Sequence, residues 1–254
     1  MQADVGQRGF LLFPKQRNFM SAVHSPEIFH TSSFVQDTVA RILSAAREAV
    51  AERGLFRLGL AGGNTPRAVY AALASTPDLL PWERVQITFG DERCVPPDDA
   101  ASNYRMAREA LLDRVPIPAG NVFRIRGEVD PEQAARECEE RLRAVAERFG
   151  EDRYAHDVLL LGMGEDGHTA SLFPGSPALE EFVRDVVPAT GPKPPPQRVS
   201  FTFSLINAAR LVMFLVNDPS RQPVVDAALR GEYPSGRVRP VAGRVVWILG
   251  DGKS

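Results

Sequence analysis

The residues best suited to proton transfer are His168 and Asp166, two positions apart in the glycine-rich segment 162–175. Imidazole ionises near neutral pH, which makes histidine the usual general base, and a carboxylate can set its tautomer. The segment begins with G-x-G-x-x-G, which in dinucleotide-binding folds opens a long helix. Because Pro174 limits any helix after Gly167 to about two turns, we favour a loop that carries a base over a nicotinamide site. A histidine that only caps a turn is the alternative.

A second loop, residues 61–66, has groups that can bind an anion. Gly62 and Gly63 allow backbone N–H groups to approach a ligand at the start of the next predicted helix, and Asn64 adds a polar side chain. Phosphate is the natural ligand for such a site. The loop lacks the Gly-Lys-Ser/Thr of a Walker loop, and a tight turn before a capped helix is the alternative.

A third loop, residues 90–96, places the charges of Asp91, Glu92 and Arg93 directly after a predicted buried strand. Arg93 could hold a phosphate or stabilise a developing oxyanion. The two carboxylates could orient this arginine or accept hydrogen bonds from sugar hydroxyls. A solvated loop with a surface ion pair is the alternative.

The elements that must position these loops alternate between helix-like and strand-like patterns. Helices are predicted at 35–50, 65–74, 103–113, 131–149 and 221–229, and strands at 55–60, 85–89, 121–125, 157–161, 199–205, 211–217 and 245–249. This alternation predicts an α/β fold, a single-domain, mostly parallel doubly wound (Rossmann-like) sheet with one antiparallel strand. Ligands bind at the carboxyl ends of such strands, so the three loops should share one edge. The proline-rich stretch 191–196 is predicted to be a mobile surface loop.

The antiparallel strand should bring one more cation to this edge. Strand 199–205 reaches strand 211–217 through only about five residues, whereas parallel neighbours need a crossover of about a dozen. If the two pair, they are antiparallel, and Arg198 lies at the edge that carries the loops. Arg198 could then be a second phosphate clamp; an arginine exposed to solvent at a sheet edge is the alternative.

The composition excludes several classes of protein. The 254 residues are 44% hydrophobic and 24% charged, which is ordinary for a globular protein. A net charge of −2 gives no case for nucleic-acid binding, and no apolar run approaches the roughly 18–20 residues of a membrane helix. Two cysteines and four scattered histidines argue against a disulfide framework or a metal site, and they favour a reducing cytoplasm.

The chain is predicted to hold one domain. Residues 1–20 are expected to be an N-terminal extension outside the fold, without a signal peptide, and residues 21–254 to form a single α/β catalytic domain. Met20 opens a segment that reads like an ordinary protein start, so the first residues are interpreted as a misassigned start or a cloning leader.

Taken together, these motifs resemble those of the glucosamine-6-phosphate isomerase/6-phosphogluconolactonase family. The matching segments are Gly-Gly-x-Thr-Pro at 62–66, Asp-Glu-Arg-x-Val-Pro at 91–96 with Ser-Asn-Tyr at 102–104, the block 162–175, and Arg198 opening Val-Ser-Phe-Thr. They occur in the family's order, and the resemblance covers about residues 25–250. It is strongest to the lactonase branch.

The resemblance implies hydrolysis of 6-phosphoglucono-1,5-lactone to 6-phosphogluconate, the second step of the oxidative pentose phosphate pathway. It implies a phosphosugar lactone as ligand and no metal or redox cofactor. The composition, for its part, leads us to expect no nucleic-acid and no membrane partner. In our hypothesis His168 is the base and Asp166 supports it. Arg93 and Arg198 share the phosphate and the oxyanion, and no nucleophilic serine is needed, which makes Ser171 a structural hydroxyl.

Two other functions stay open at this point. A deaminase or isomerase of the same fold usually has Asp-Glu-Tyr where this chain has 91–93, and Gly-His-Ile where it has 167–169, so both differences favour the lactonase. A non-catalytic sugar-phosphate sensor is the second alternative. The chain departs from the lactonase pattern at Asn64, where serine is usual, and at Arg221, where a nearby lysine is usual and for which we expect a peripheral role.

Overall fold

The computed structural model describes residues 25–253. The expected N-terminal extension, residues 1–20, lies outside the described residues. The α-helices are α1 Phe34–Arg53, α2 Asn64–Ala74, α3 Asn103–Ala110, α4 Pro131–Arg148, α5 Phe203–Ile206 and α6 Gln222–Leu229. The strands are β1 Glu27–Thr31, β2 Phe56–Leu60, β3 Val85–Phe89, β4 Asp91–Arg93, β5 Val158–Leu161, β6 Val186–Thr190, β7 Gln197–Phe201, β8 Leu211–Val216 and β9 Arg244–Gly250.

Six parallel strands form the main sheet, in the order β1-β9-β8-β5-β2-β3. Every residue of β2, β5 and β8 is buried, as expected for strands that are covered on both faces. Successive residues of these strands alternate between two cores. One core packs against α1, α2 and α3, and the other packs against α4, α6 and a second sheet. The predicted α/β class with a mostly parallel, doubly wound sheet is therefore confirmed.

The antiparallel strand does not lie in the main sheet. Strand β7 pairs antiparallel with β4 and β6, and these three strands form the second sheet. The predicted strand 199–205 is shifted to 197–201, and its last residues form the short helix α5. Strands β7 and β8 do not pair: the short helix α5 lies in their connection, and the two strands belong to different sheets.

Other differences concern short or weakly patterned elements. Residues 121–125 were predicted as a strand, but they make a single bridge, Ile87 to Val122, after a turn of 3₁₀ helix. The sequence reading missed β1, an edge strand with mostly exposed residues, and also β4 and β6 of the second sheet. Helix α2 begins at Asn64, one residue before the predicted start, and has no side-chain cap. Helix α1 ends at Arg53, and Gly54 follows it in the left-handed conformation with φ 75°.

A buried histidine lies between the main sheet and the second sheet. His156 is fully buried, and its Nε2 atom is 2.7 Å from the hydroxyl of Thr88. Its ring packs against Tyr154 and Phe201. Burial, with the nearby charge of Arg57 in addition, lowers the pKa of His156 to about 3. His156 is therefore neutral in the folded protein at neutral pH.

Acid should destabilise the protein through His156. Because an unfolded histidine binds a proton below its ordinary pKa of about 6.5 while folded His156 stays neutral, the free energy of unfolding falls as the pH falls from 6.5 towards 3. We expect the slope of the unfolding free energy against pH to be steeper in the wild type than in His156→Gln, by up to about 1.4 kcal/mol per pH unit. Urea unfolding at pH 7, 6, 5 and 4 measures it. His30→Gln, at an exposed position, should keep the wild-type slope; equal slopes in wild type and His156→Gln would contradict the assignment.

Candidate active site

The loops after β2, β3 and β5 meet in a cleft of about 570 Å³ at the carboxyl edge of the main sheet. Of the predicted site residues, the structure brings together Gly62, Gly63, Asp91, Arg93, Asp166, His168 and Arg198 in its wall. Asn64 does not line the cleft, because it is the exposed first residue of α2. Parallel pairing of β2 with both β3 and β5 explains why loops from distant parts of the chain meet here.

His168 is held by Asp166. The imidazole Nδ1 atom is 2.5 Å from Oδ1 of Asp166, which also accepts the backbone N–H of His168 at 3.3 Å. Partial burial of Asp166 opposes its ionisation, but the hydrogen bonds and charge of His168 outweigh it and hold the pKa of Asp166 below its usual range. An ionised carboxylate can only accept a hydrogen bond, so Nδ1 carries the hydrogen and we assign the free lone pair of His168 to Nε2. This geometry suits the predicted role of His168 as a general base.

Two glycines shape the loop around His168. The N–H of Gly164 donates to the carbonyl of His168 at 2.9 Å, and the N–H of Gly167 donates to the carbonyl of Gly164 at 3.1 Å. A Cβ atom on Gly164 would lie 2.1 Å from Nδ1 of His168, so only glycine permits this close approach. The ring of Phe173 packs 4.3 Å, centre to centre, from the imidazole. No helix follows Gly167 before Pro174, in contrast to a dinucleotide-binding loop.

Arg93 and Arg198 face each other across β4 and β7, where they are partners in the antiparallel register. Within residues 25–253 neither guanidinium has a carboxylate partner at ion-pair distance. Arg93 donates to the carbonyl of Ala101 at 2.6 Å, and Arg198 donates to the carbonyls of Pro195 and Lys193. Burial and then the charge of Arg93 lower the pKa of Arg198. Because like charges opposite each other are unfavourable, the pair is suited to an anionic ligand.

Glu92 does not share this role, although it lies between Asp91 and Arg93. Its carboxylate is buried and accepts the N–H groups of Arg93, Asn103 and Tyr104 at 2.7–2.8 Å, together with the hydroxyl of Ser102 at 3.1 Å. Glu92 therefore holds the start of α3 against β4 and neither orients the Arg93 guanidinium nor faces the cleft.

Two cations in the cleft wall were not assigned to the site from the sequence. Arg221 bonds to Glu165 at 3.1 Å and to Asp218 at 3.4 Å, and its Nη1 atom is buried without a partner. The structure places this residue, for which we expected a peripheral role, in the cleft wall; its position in the segment that follows β8 was the available signal. Lys193, in the predicted surface loop 191–196, also lines the cleft.

The described residues form neither a metal site nor a membrane-spanning helix. In the part of the chain that the structure describes, no three or more histidine, cysteine or acidic side chains are arranged to hold a metal ion. Among the helices of residues 25–253, none is long and apolar enough to cross a membrane.

Residues 30–247 match the family model described as glucosamine-6-phosphate isomerases/6-phosphogluconolactonase. The chain belongs to this family. Among curated relatives in the 6-phosphogluconolactonase branch, the Synechocystis protein is 40% identical over 221 residues, covering 85% of this chain and 90% of its own length. The human 6-phosphogluconolactonase is 36% identical, covering 87% of this chain and 89% of its own length.

Solved structures of the same family have the same fold. The 6-phosphogluconolactonase of Thermotoga maritima matches with a TM-score of 0.79 and 30% identity, covering 89% of this chain and all of that chain. That of Trypanosoma brucei matches with a TM-score of 0.77 and 30% identity, covering 89% of this chain and 97% of that chain. The α/β fold of this chain is therefore similar to that of these 6-phosphogluconolactonases.

The unpaired arginines predict that an anion stabilises the protein. Inorganic phosphate at 100 times its dissociation constant should raise the free energy of unfolding by about 2.7 kcal/mol. At the same phosphate concentration, we expect Tm of Arg198→Met to rise by less than half as much as Tm of the wild type, because one of the two cations is lost. Thermal unfolding with and without phosphate measures the shift. Arg143→Met, at an exposed arginine of α4, should respond like the wild type; an undiminished shift in Arg198→Met would contradict the site.

Proposed function

We propose that this protein hydrolyses 6-phospho-D-glucono-1,5-lactone to 6-phospho-D-gluconate, as in the oxidative pentose phosphate pathway. The observation that carries the proposal is the presence, in one cleft, of an oriented His168–Asp166 pair and two arginines without carboxylate partners. Relatives at 36–40% identity are named 6-phosphogluconolactonase, which supports the same reaction. Lactone opening needs these components: a base for water, a cation for developing charge, and an anchor for phosphate.

In the proposed mechanism, Nε2 of His168 takes a proton from water as the water oxygen bonds to C1 of the lactone. The carbonyl electrons move onto its oxygen, which an arginine stabilises. When the C1=O bond re-forms, the bond from C1 to the ring oxygen breaks, and the imidazolium returns its proton to that oxygen, which becomes the C5 hydroxyl. Asp166 stabilises the charged imidazolium in between. No covalent enzyme intermediate is required.

The substrate's phosphate needs a cationic end of the cleft. Arg93 and Arg198 are the proposed ligands for the phosphate and the oxyanion, with backbone N–H groups of the Gly62-Gly63 turn at the start of α2 as further donors. Asn64 contributes through its place in that turn, because its side chain does not line the cleft. Arg221 adds a cation whose charge is already balanced by Glu165 and Asp218, so we assign it a supporting role.

We also infer the wider setting of the reaction. Residues 21–254 act as one catalytic domain, and the reaction takes place in the cytoplasm. Cys94 and Cys138 are both free thiols, which suits a reducing compartment.

Removing the base tests the proposal directly. His168→Ala should lower kcat by about 10²–10⁴-fold with little change in KM, because proton transfer is lost while binding groups remain. Asp166→Asn should also lower kcat. The assay follows 6-phosphogluconate formed from lactone generated in situ, corrected for spontaneous hydrolysis, with His30→Ala as the control at an exposed histidine.

The outcomes of this assay distinguish the base role of His168 from the reaction itself and from the two alternative functions. A loss under tenfold in His168→Ala would remove the base role but leave the reaction. If the wild type does not exceed the spontaneous rate, the proposed reaction is wrong. Ammonia release from glucosamine 6-phosphate would then identify a deaminase, and calorimetric binding of 6-phosphogluconate without turnover would identify a sensor.

A second substrate separates the roles of the two arginines. Glucono-1,5-lactone lacks the phosphate, so an arginine that binds phosphate should matter only for the phosphorylated lactone. An arginine that stabilises the oxyanion should matter for both lactones, by about 10²–10³-fold in kcat. We measure kcat/KM on each lactone and divide the value for the phosphorylated lactone by the value for glucono-1,5-lactone. We expect this ratio to differ between Arg93→Met and Arg198→Met. If neither substitution changes kcat/KM tenfold on either lactone, the arginines do not have these roles.

A further inference from the structure

Asp91 is an unusual carboxylate in the cleft, because its hydrogen-bond donors are neutral. Its Oδ1 atom accepts from the side-chain amide of Asn103 at 3.1 Å, and its Oδ2 atom accepts from the hydroxyl of Ser171 at 2.6 Å. Within residues 25–253 no cation lies at ion-pair distance from Asp91. The side chain lines the cleft beside the base and the arginines. An ionised carboxylate can accept about four hydrogen bonds, so acceptor capacity remains.

Asn103 connects the parts of the site to one another. It is 3% exposed, and its side-chain amide also donates to the backbone carbonyl of Asp91 at 3.0 Å. Its own N–H donates to Glu92 at 2.7 Å. A Cβ atom on Gly62 would lie 2.1 Å from Oδ1 of Asn103, so the glycine turn packs directly on this amide. One buried side chain thus contacts both β4 and the loop after β2.

Ser171 connects the same carboxylate to the loop of the base. It follows His168 by three residues, and its N–H donates to the hydroxyl of Ser200 in β7 at 3.1 Å. Its own hydroxyl is committed to Asp91. The carboxylate of Asp91 is therefore held from two sides, by α3 through Asn103 and by the base loop through Ser171. Neither donor is charged, so the negative charge of Asp91 is not neutralised by its supports.

We propose that Asn103 and Ser171 are positioning residues that aim the Asp91 carboxylate at a ring hydroxyl of the substrate. Asp91 thereby selects a polyhydroxylated phosphosugar lactone over one that lacks this hydroxyl. The inference rests on the proposed function and adds the origin of its sugar specificity. A site built to hydrogen-bond a hydroxyl rejects an analogue without it, because the site's acceptor is then left unpaired. The hydroxyls available for this contact are those at C2, C3 and C4.

Deoxy substrates test the assignment. The 2-, 3- and 4-deoxy analogues of 6-phosphogluconolactone are compared with the parent lactone by kcat/KM. We expect the wild type to discriminate against at least one analogue by about 10- to 100-fold. Asp91→Asn, Asn103→Ala and Ser171→Ala should reduce that ratio to below threefold, whereas Ser171→Thr, which keeps a hydroxyl, should retain at least part of it. A merely structural role would lower kcat/KM for all four lactones by the same factor.

A double-mutant cycle shows whether Asn103 acts through Asp91. In the Asp91→Asn background, Asn103→Ala should change the discrimination ratio less than twofold, because the carboxylate it positions is already gone. Asn121→Ala is the matched control, since its amide also donates to a backbone carbonyl, that of Glu83, but lies outside the cleft. The ratio does not depend on the fraction of folded enzyme, and Ser171→Ala probes the same carboxylate if Asn103→Ala fails to fold.

The results separate this inference from the proposed function. If the wild type accelerates hydrolysis of the parent lactone but treats all three deoxy analogues alike, the role of Asp91 is overturned and the lactonase function stands. Full discrimination in Asn103→Ala and Ser171→Ala would equally overturn the positioning role. If the wild type does not hydrolyse the parent lactone, the proposed function fails, and this inference fails with it.

Discussion

The site depends first on the parallel pairing of β5, β2 and β3. Parallel neighbours end at the same edge of a sheet, so the loops that follow them must meet there, however far apart they lie in sequence. Every residue of β2 and β5 is buried, so a shift of their register would move apolar side chains between the two cores. The hydrophobic packing of the sheet therefore also determines the position of His168 relative to Asp91.

The second sheet adds what the parallel strands alone do not provide. Strand β4 leaves the main sheet directly after β3 and pairs with β7, which places Arg93 opposite Arg198. Glu92 stabilises this departure by accepting the N–H groups at the start of α3. The unfavourable proximity of two guanidinium groups is tolerated because their neighbours are carbonyl oxygens and a cleft open to solvent. An anionic ligand would relieve the repulsion that remains.

Close approach within the cleft is achieved with glycine. At Gly164 the missing side chain lets the loop fold onto the His168 imidazole, and at Gly62 it lets the first turn pack on the Asn103 amide. A methyl group at Gly164 would have to displace the His168 imidazole, and a methyl group at Gly62 would have to displace the Asn103 amide. Both glycines belong to the sequence motifs 62–66 and 162–175, so these motifs mark the loops of the candidate site.

The sequence by itself determined the alternating elements and indicated most of the candidate site. Hydrophobic runs, helical periodicity and the Gly-Asp-Gly-His block are local signals, so β2, β3, β5, β8 and His168 with Asp166 could be read from them. Tertiary structure decided the second sheet, the place of Arg221 in the cleft, and the support of Asp91 by Asn103 and Ser171. These features depend on pairing between residues as far as 109 positions apart, such as Asp91 with Ser200, and no local pattern encodes the register of such pairs.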